Sequence, residues 1–166
     1  MIGKLILTIL VAMTINMSAD KPVETNFWES DETASETISA EADLGDAASD
    51  LLFNLAIEGA DWVGAATSET EIQEALTEIT LYEDLEIQYA YYGSAEGAFY
   101  IYPSMELPED YDFRERPPYL NTMAEEIYYA EPYTDAITNR QIQTIGITVY
   151  DENGIIGVLG IDAYID

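Results

Sequence analysis

The sequence predicts an α+β fold, a long N-terminal helix packed on an antiparallel β-sheet, from three observations. Before about residue 82 apolar residues recur at helical spacing, and beyond Asp84 they alternate. Near the C-terminus the apolar runs Gln141 to Tyr150 and Ile155 to Ile165 flank Asp151-Glu152-Asn153-Gly154. An Asn-Gly pair favours a hairpin because both residues tolerate positive φ, so the two runs pair antiparallel. Helices followed by an antiparallel sheet are the α+β arrangement.

The elements follow in order. Met1 to Ala19 carries one cation, Lys4, and an apolar run from Leu5 to Met17 that is short for a membrane span, which marks residues 1–19 as a signal peptide or N-terminal anchor. Met17 is a poor residue two positions before the cleavage candidate Ala19, so both outcomes stay open. Residues 20–34 form an acidic linker with Pro22, and 35–166 form one domain. From Ser35 to about Asp61, Ile38, Leu51, Leu52, Leu55 and Ile57 predict one long helix interrupted near Gly45. Ser68 and Glu71 make a capping box, and Ile72, Ala75, Leu76 and Ile79 carry the second helix toward Tyr82. Ile87, Tyr89 and Tyr91 then alternate with Gln88, Ala90 and Tyr92, and a turn from Gly93 to Gly97 leads into a returning strand, Ala98 to Tyr102. On the first C-terminal strand Ile145, Ile147 and Val149 take one face, leaving Thr144, Gly146 and Thr148 to meet something polar.

Composition excludes several classes of function. Five Lys and Arg against 33 Asp and Glu give a net charge of −28, which repels nucleic acid. The same imbalance suits a halophilic protein, in which strong salt screens the self-repulsion. Without cysteine or histidine there are no thiol nucleophiles, disulfides, common zinc sites or His-based triads, and no acid stands out as a glycosidase general acid, so the chain reads as a non-enzyme without a cofactor. Asp151 to Gly154 is turn chemistry and not a calcium loop, because Asp162 stands where an EF-hand has a bidentate Glu. Apolar residues at 48% are enough for a packed core.

The segment from Leu107 to Asp135 concentrates charge and aromatic rings. Arg114 and Arg116 lie in it and Arg140 just beyond, in a chain that has few cations. An arginine there either grips an anion in bidentate fashion or pairs with Asp110, Asp112 or Glu115. Of the 13 tyrosines, Tyr111, Tyr119, Tyr128, Tyr129 and Tyr133 cluster in this stretch. Tyr128 and Tyr129 read as packing residues, whereas Tyr111, Tyr119 and Tyr133 suit an aromatic enclosure for an ammonium group.

Several motifs then stand in order: Gly97 to Tyr102 (GAFYIY), Leu107-Pro108, Tyr111-Asp112-Phe113-Arg114-Glu115-Arg116-Pro117-Pro118-Tyr119, Glu131-Pro132-Tyr133-Thr134-Asp135-Ala136, Val149-Tyr150-Asp151 and Gly157 to Asp162. Together they resemble the extracellular Cache sensor domain, and more narrowly the membrane-distal, ligand-binding half of the double Cache domains of chemoreceptors and sensor histidine kinases. The resemblance implies a PAS-like fold that binds a small metabolite over one face of its sheet. In the amino-acid-binding branch the first motif holds the ligand carboxylate and later Tyr and Asp residues hold its ammonium. Carried over, these are Tyr111, Arg116 and Tyr119, then Tyr133, Asp135 and Asp162. Pro118 stands where the family has a tryptophan, which removes an N–H donor.

A zwitterion needs one cationic and one anionic partner, which Arg116 with Asp135 or Asp162 can supply. Gly160, two residues before Asp162 on the same strand face, is expected to leave space above the sheet for the ligand. The expected ligand is an amino acid or related zwitterion, or else a betaine or methylated amine. The expected function is extracytoplasmic sensing, with output through a membrane receptor or kinase partner. A homodimer through the N-terminal helix, by the stripe around Leu51 and Leu55, is the further partner expectation. The alternative function is an extracellular interaction or structural module, or a truncated receptor remnant, that keeps the fold without the ligand.

Overall fold

Residues 46–135 and 138–165 are described in the computed structural model. The expected signal or anchor at 1–19, the linker at 20–34 and the helix start from Ser35 through Gly45 lie outside the described residues. Helix α1 (Asp46–Ala65) places Leu52, Leu55, Ala56, Ala60 and Val63 on one stripe, none more than 9% exposed. It runs past the expected end at Asp61 because Val63 continues that stripe. Leu55, part of the stripe read as dimer-forming, is spent inside the domain.

Helix α2 (Glu69–Thr80) begins where the capping residues place it. Ser68 Oγ accepts from the Glu71 N–H at 3.3 Å, while the Glu71 carboxylate reaches one residue further back than in a capping box, to the Thr67 N–H and hydroxyl. Ala75, Leu76 and Ile79 face inward.

The six strands are β1 (Ile87–Ser94), β2 (Phe99–Tyr102), β3 (Ile127–Tyr129), β4 (Tyr133–Thr134), β5 (Gln141–Asp151) and β6 (Gly154–Tyr164). They pair antiparallel in the order β2-β1-β6-β5-β3, with β4 also pairing β5. The architecture is the α+β, PAS-like arrangement expected. In the β5–β6 hairpin Asp151 Oδ1 accepts from the N–H groups of Asn153 and Gly154. Gly154 alone of the Asn-Gly pair takes positive φ, at 134°, so an Asx turn followed by glycine closes the loop.

One face of the sheet carries Ala90, Tyr92, Ile145, Ile147, Val149, Leu159, Ile161 and Ala163 against α1 and α2, forming the main core. Each fully buried Leu or Ile there stabilises the fold by roughly 1.5–3 kcal/mol. A bulge between Ile87 and Tyr89 turns Ile87 to this side, away from Tyr89 and Tyr91, so simple alternation along β1 holds only from Tyr89 onward.

Topology decides what covers the opposite face. β2 lies at one edge of the sheet and β3 at the other, so the chain between them must cross the sheet. That crossover contains a short 3-10 turn (Phe113–Glu115) and α3 (Pro117–Glu125), and it buries the second face. Thr144 and Thr148, expected to meet something polar, are 1% and 4% exposed. Among the described residues no helix is long and apolar enough to cross a membrane.

Candidate functional site

The crossover settles on the sheet through an aromatic cluster. Phe113 packs edge-on against Tyr91 at 5.4 Å and against Tyr119 at 5.5 Å, and Phe99 contacts both Phe113 and Tyr111. Tyr119 is therefore a buried member of this second core. Arg114 holds the crossover from outside: it pairs with Asp112 at 2.7 Å, pulling that carboxyl down to about 2, and donates to the Ala95 carbonyl of the β1–β2 turn. Arg114 is thus the ion pair, the plainer of the two readings of these arginines. Arg116 differs: its guanidinium lies 5.0 Å from the centre of the Tyr111 ring, and its Nε is buried with no hydrogen-bond partner.

Next to Arg116 the paired prolines start α3, where a missing N–H costs nothing. Pro117 and Pro118 form one wall of a cavity of about 250 Å³. Tyr128 and Ala130 line it from β3 and the residue after it, Glu131, Pro132 and Tyr133 from the approach to β4, and Thr144 from β5. Tyr128 faces the cavity because it pairs with Gly146, whereas Ile127 and Tyr129 pair with Ile147 and Ile145 on the helix side. Its expected role as a packing residue gives way to that register.

Behind Thr144 lies a buried hydrogen-bonded group. Thr144 and Asp162 are opposite each other in the β5–β6 ladder. The Thr144 hydroxyl donates to Asp162 Oδ1 at 2.6 Å, Tyr91 donates to the same oxygen at 3.2 Å, and the Tyr133 hydroxyl lies 3.2 Å from Thr144 Oγ1. Asp162 is fully buried and its Oδ2 has no partner. Burial pushes its carboxyl up to about 7 against the opposing effect of the Thr144 and Tyr91 hydrogen bonds, and the nearby Asp135 adds to the rise. Burial, with Asp162 close by, likewise raises the Tyr133 phenol far above its ordinary value.

The space expected above Gly160 is filled. A Cβ at Gly160 would collide with the Tyr91 ring, and one at Gly146 with Thr122 of α3. The glycines admit a tyrosine and a helix to the sheet surface, and the cavity opens beside them, toward β3. Asp135 is buried away from the lining, its Oδ2 accepting from Gln88 Nε2 and from the Thr138 N–H and hydroxyl. Arg140 pairs in bidentate fashion with Glu86 and covers the Tyr164 ring at 3.7 Å.

Of the six residues singled out by sequence, Tyr133 lines the cavity, Asp162 reaches its wall through Thr144, and Arg116 immediately precedes Pro117. Tyr111, Tyr119 and Asp135 stand outside the lining. Thr144, Pro117, Pro132 and Glu131 were not singled out as site residues. Thr144 was legible only as a polar residue on its strand, since a bulge between Val149 and Tyr150 decides that it faces Asp162, and the prolines as a helix start beside a motif. Among the described residues no three acidic side chains gather as a metal site.

No family model matches the chain. The methyl-accepting chemotaxis protein McpC of Bacillus subtilis (strain 168) is 33% identical over 75 residues, which cover 44% of this chain and 12% of McpC. The ligand-binding domain of the amino acid chemoreceptor PctC of Pseudomonas aeruginosa PAO1, solved with GABA, matches with a TM-score of 0.63 at 24% identity, over 70% of this chain and 53% of that one. That of PctB from the same organism, solved with L-Arg, matches at 0.58 and 25% identity, over 69% of this chain and 49% of that one. That of the Pseudomonas fluorescens chemoreceptor CtaA, solved with L-valine, matches at 0.57 and 25% identity, over 68% and 51%. The chain spans about half the length of these solved domains and a small part of McpC. These relatives are sensor domains and not enzymes, and the Cache resemblance carried by the motifs agrees with the strand order and the crossover. The described residues share the fold of these chemoreceptor ligand-binding domains.

Proposed function

We propose that the domain binds a small amino acid or related amine in the cavity between α3, β3 and β5, with the ligand's ammonium directed to Asp162 and its carboxylate to Arg116. The observation that carries this reading is a pair of buried polar atoms of opposite character without partners, Asp162 Oδ2 and Arg116 Nε. Leaving either unpaired costs about 1–3 kcal/mol or more, so a ligand that satisfies both removes that cost. An ammonium beside Asp162 also favours the ionised carboxylate that burial disfavours. Solved chemoreceptor domains in complex with GABA, L-valine and L-Arg support the same chemistry.

The walls suit the body of such a ligand. Tyr128 and Tyr133 present aromatic surface and the prolines present apolar surface without N–H groups. This lining also favours a betaine or methylated amine, which the same screen tests. In this reading the domain senses outside the cytoplasm and acts through a membrane receptor or kinase partner. A second copy pairing along α1 would use the outward side of that helix, since Leu55 faces the sheet.

The test is a thermal-shift screen followed by calorimetry, in molar salt, against amino acids, betaines, methylamines and small carboxylates. A ligand at about 100 times its Kd stabilises the fold by about 2.7 kcal/mol. A shift with amino acids or amines supports the reading. A well-folded sample that shifts with none of them overturns it in favour of an interaction module or receptor remnant.

A further inference from the structure

Among the residues that line the cavity, charge is carried by Glu131 alone. Glu131 is exposed at the mouth, whereas Thr144 at the inner wall is 1% exposed. Pro117, Pro118 and Pro132 have no N–H to offer, and the Ala130 N–H is spent on the Thr144 carbonyl at 2.9 Å. The hydroxyls of Tyr133 and Thr144 are engaged with each other and with Asp162.

A ligand whose ammonium lies toward Asp162 therefore extends its other end past prolines toward Glu131. A second positive charge there meets a carboxylate. A second negative charge meets the same carboxylate, along a wall whose prolines offer no N–H, in a domain already strongly acidic. We infer that Glu131 sets the side-chain preference of the cavity: it favours ligands with a second positive charge over neutral ones and rejects those with a second negative charge. The inference rests on the amino acid reading above and adds the ligand class to it.

Because Glu131 is exposed, its contribution is that of a surface ion pair and is screened by salt, whereas pairing with the buried Asp162 is screened far less. Calorimetry on the full chain with two matched pairs of probes separates these effects. Ornithine and norvaline share one carbon skeleton and differ by an ammonium group, while glutamate and glutamine differ by a charge. Ornithine is expected to bind about three- to fivefold more tightly than norvaline at moderate salt, and glutamine more tightly than glutamate by a similar factor. Both preferences are expected to shrink in about 1 M salt.

Glu131→Gln is expected to equalise each pair, and Glu131→Lys to reverse both preferences. Equal binding of ornithine and norvaline by the native protein, or a preference that persists in Glu131→Gln, overturns this inference alone. Binding of none of the four overturns the amino acid reading and this inference with it.

Discussion

Thr144 and Asp162 face each other across the β5–β6 ladder, and a 2.6 Å hydrogen bond joins the Thr144 hydroxyl to the buried carboxyl. Thr144 also lines the cavity, so a single side chain links the open volume to the buried acid. Tyr133 on one side and Tyr91 on the other extend the link across four strands, β4, β5, β6 and β1.

The raised Asp162 carboxyl makes stability depend on pH. The group holds its proton in the folded state up to about 7 but loses it near its ordinary value of 3.8 when unfolded. Its contribution to stability is therefore greatest at low pH and declines as pH rises from about 4 to about 7. Asp162→Asn removes this decline. The variant is expected to match the native protein near pH 4 and to exceed it at pH 8 by on the order of a few kcal/mol, while losing ligand binding. Melts across that range, with calorimetry at neutral pH, check both halves.

Thr144→Val keeps the shape and removes the hydroxyl. Asp162 then loses its shortest hydrogen bond and Tyr133 loses its partner, so stability at neutral pH is expected to fall by about 1–3 kcal/mol and ligand affinity with it. Denaturant titration at neutral pH measures the loss, and an unchanged midpoint would show that the pair contributes nothing.

Gly146→Ala drives a methyl group into Thr122 and is expected to destabilise the domain by roughly 1–3 kcal/mol. Thr122→Ala removes the obstructing hydroxyl, so the double variant is expected to recover part of the loss. A double-mutant cycle in denaturant reads this coupling, and simple additivity would refute the contact as its cause.

The two arginines of the crossover should separate. Arg114 is more than a third exposed and paired with Asp112, so Arg114→Ala is expected to change stability little and to leave binding intact. Arg116→Ala is expected to abolish binding of carboxylate-bearing ligands in a folded domain. Equal binding by both variants would remove Arg116 from the site.

Salt should stabilise the fold. With a net charge of −28, self-repulsion opposes compaction, and screening at about 1 M shortens its reach to roughly 3 Å. The melting temperature is expected to rise with salt in both sodium and potassium chloride. A flat profile would mean that the acids are spaced too widely to repel.

Much of the fold was legible in local pattern. The Ser68 cap, the apolar stripes of α1 and α2 and the turn at Asp151 to Gly154 each depend on residues within a few positions, where spacing translates directly into geometry. Asp162 and Arg116 stood out through the motifs of the Cache resemblance, since the scarcity of cations marks Arg114 and Arg140 equally. By itself the sequence determined the order of the first two helices and of β1, β2, β5 and β6, the turn that closes the last hairpin, and the motifs of the Cache resemblance, whereas the bulge between Val149 and Tyr150 that sets Thr144 opposite Asp162 belongs to the structure.

Tertiary structure decided the rest, because side chains far apart in sequence compete for the same space. Gly160 read as open room until Tyr91, from β1, filled it, and Tyr128 read as packing until its pairing with Gly146 turned it toward the cavity. Neither outcome can be read from local spacing, since each depends on which strand becomes the neighbour. The cavity itself exists because the crossover from β2 to β3 spans the sheet, and a volume left where α3, β3 and β5 pack together has no signature in local spacing.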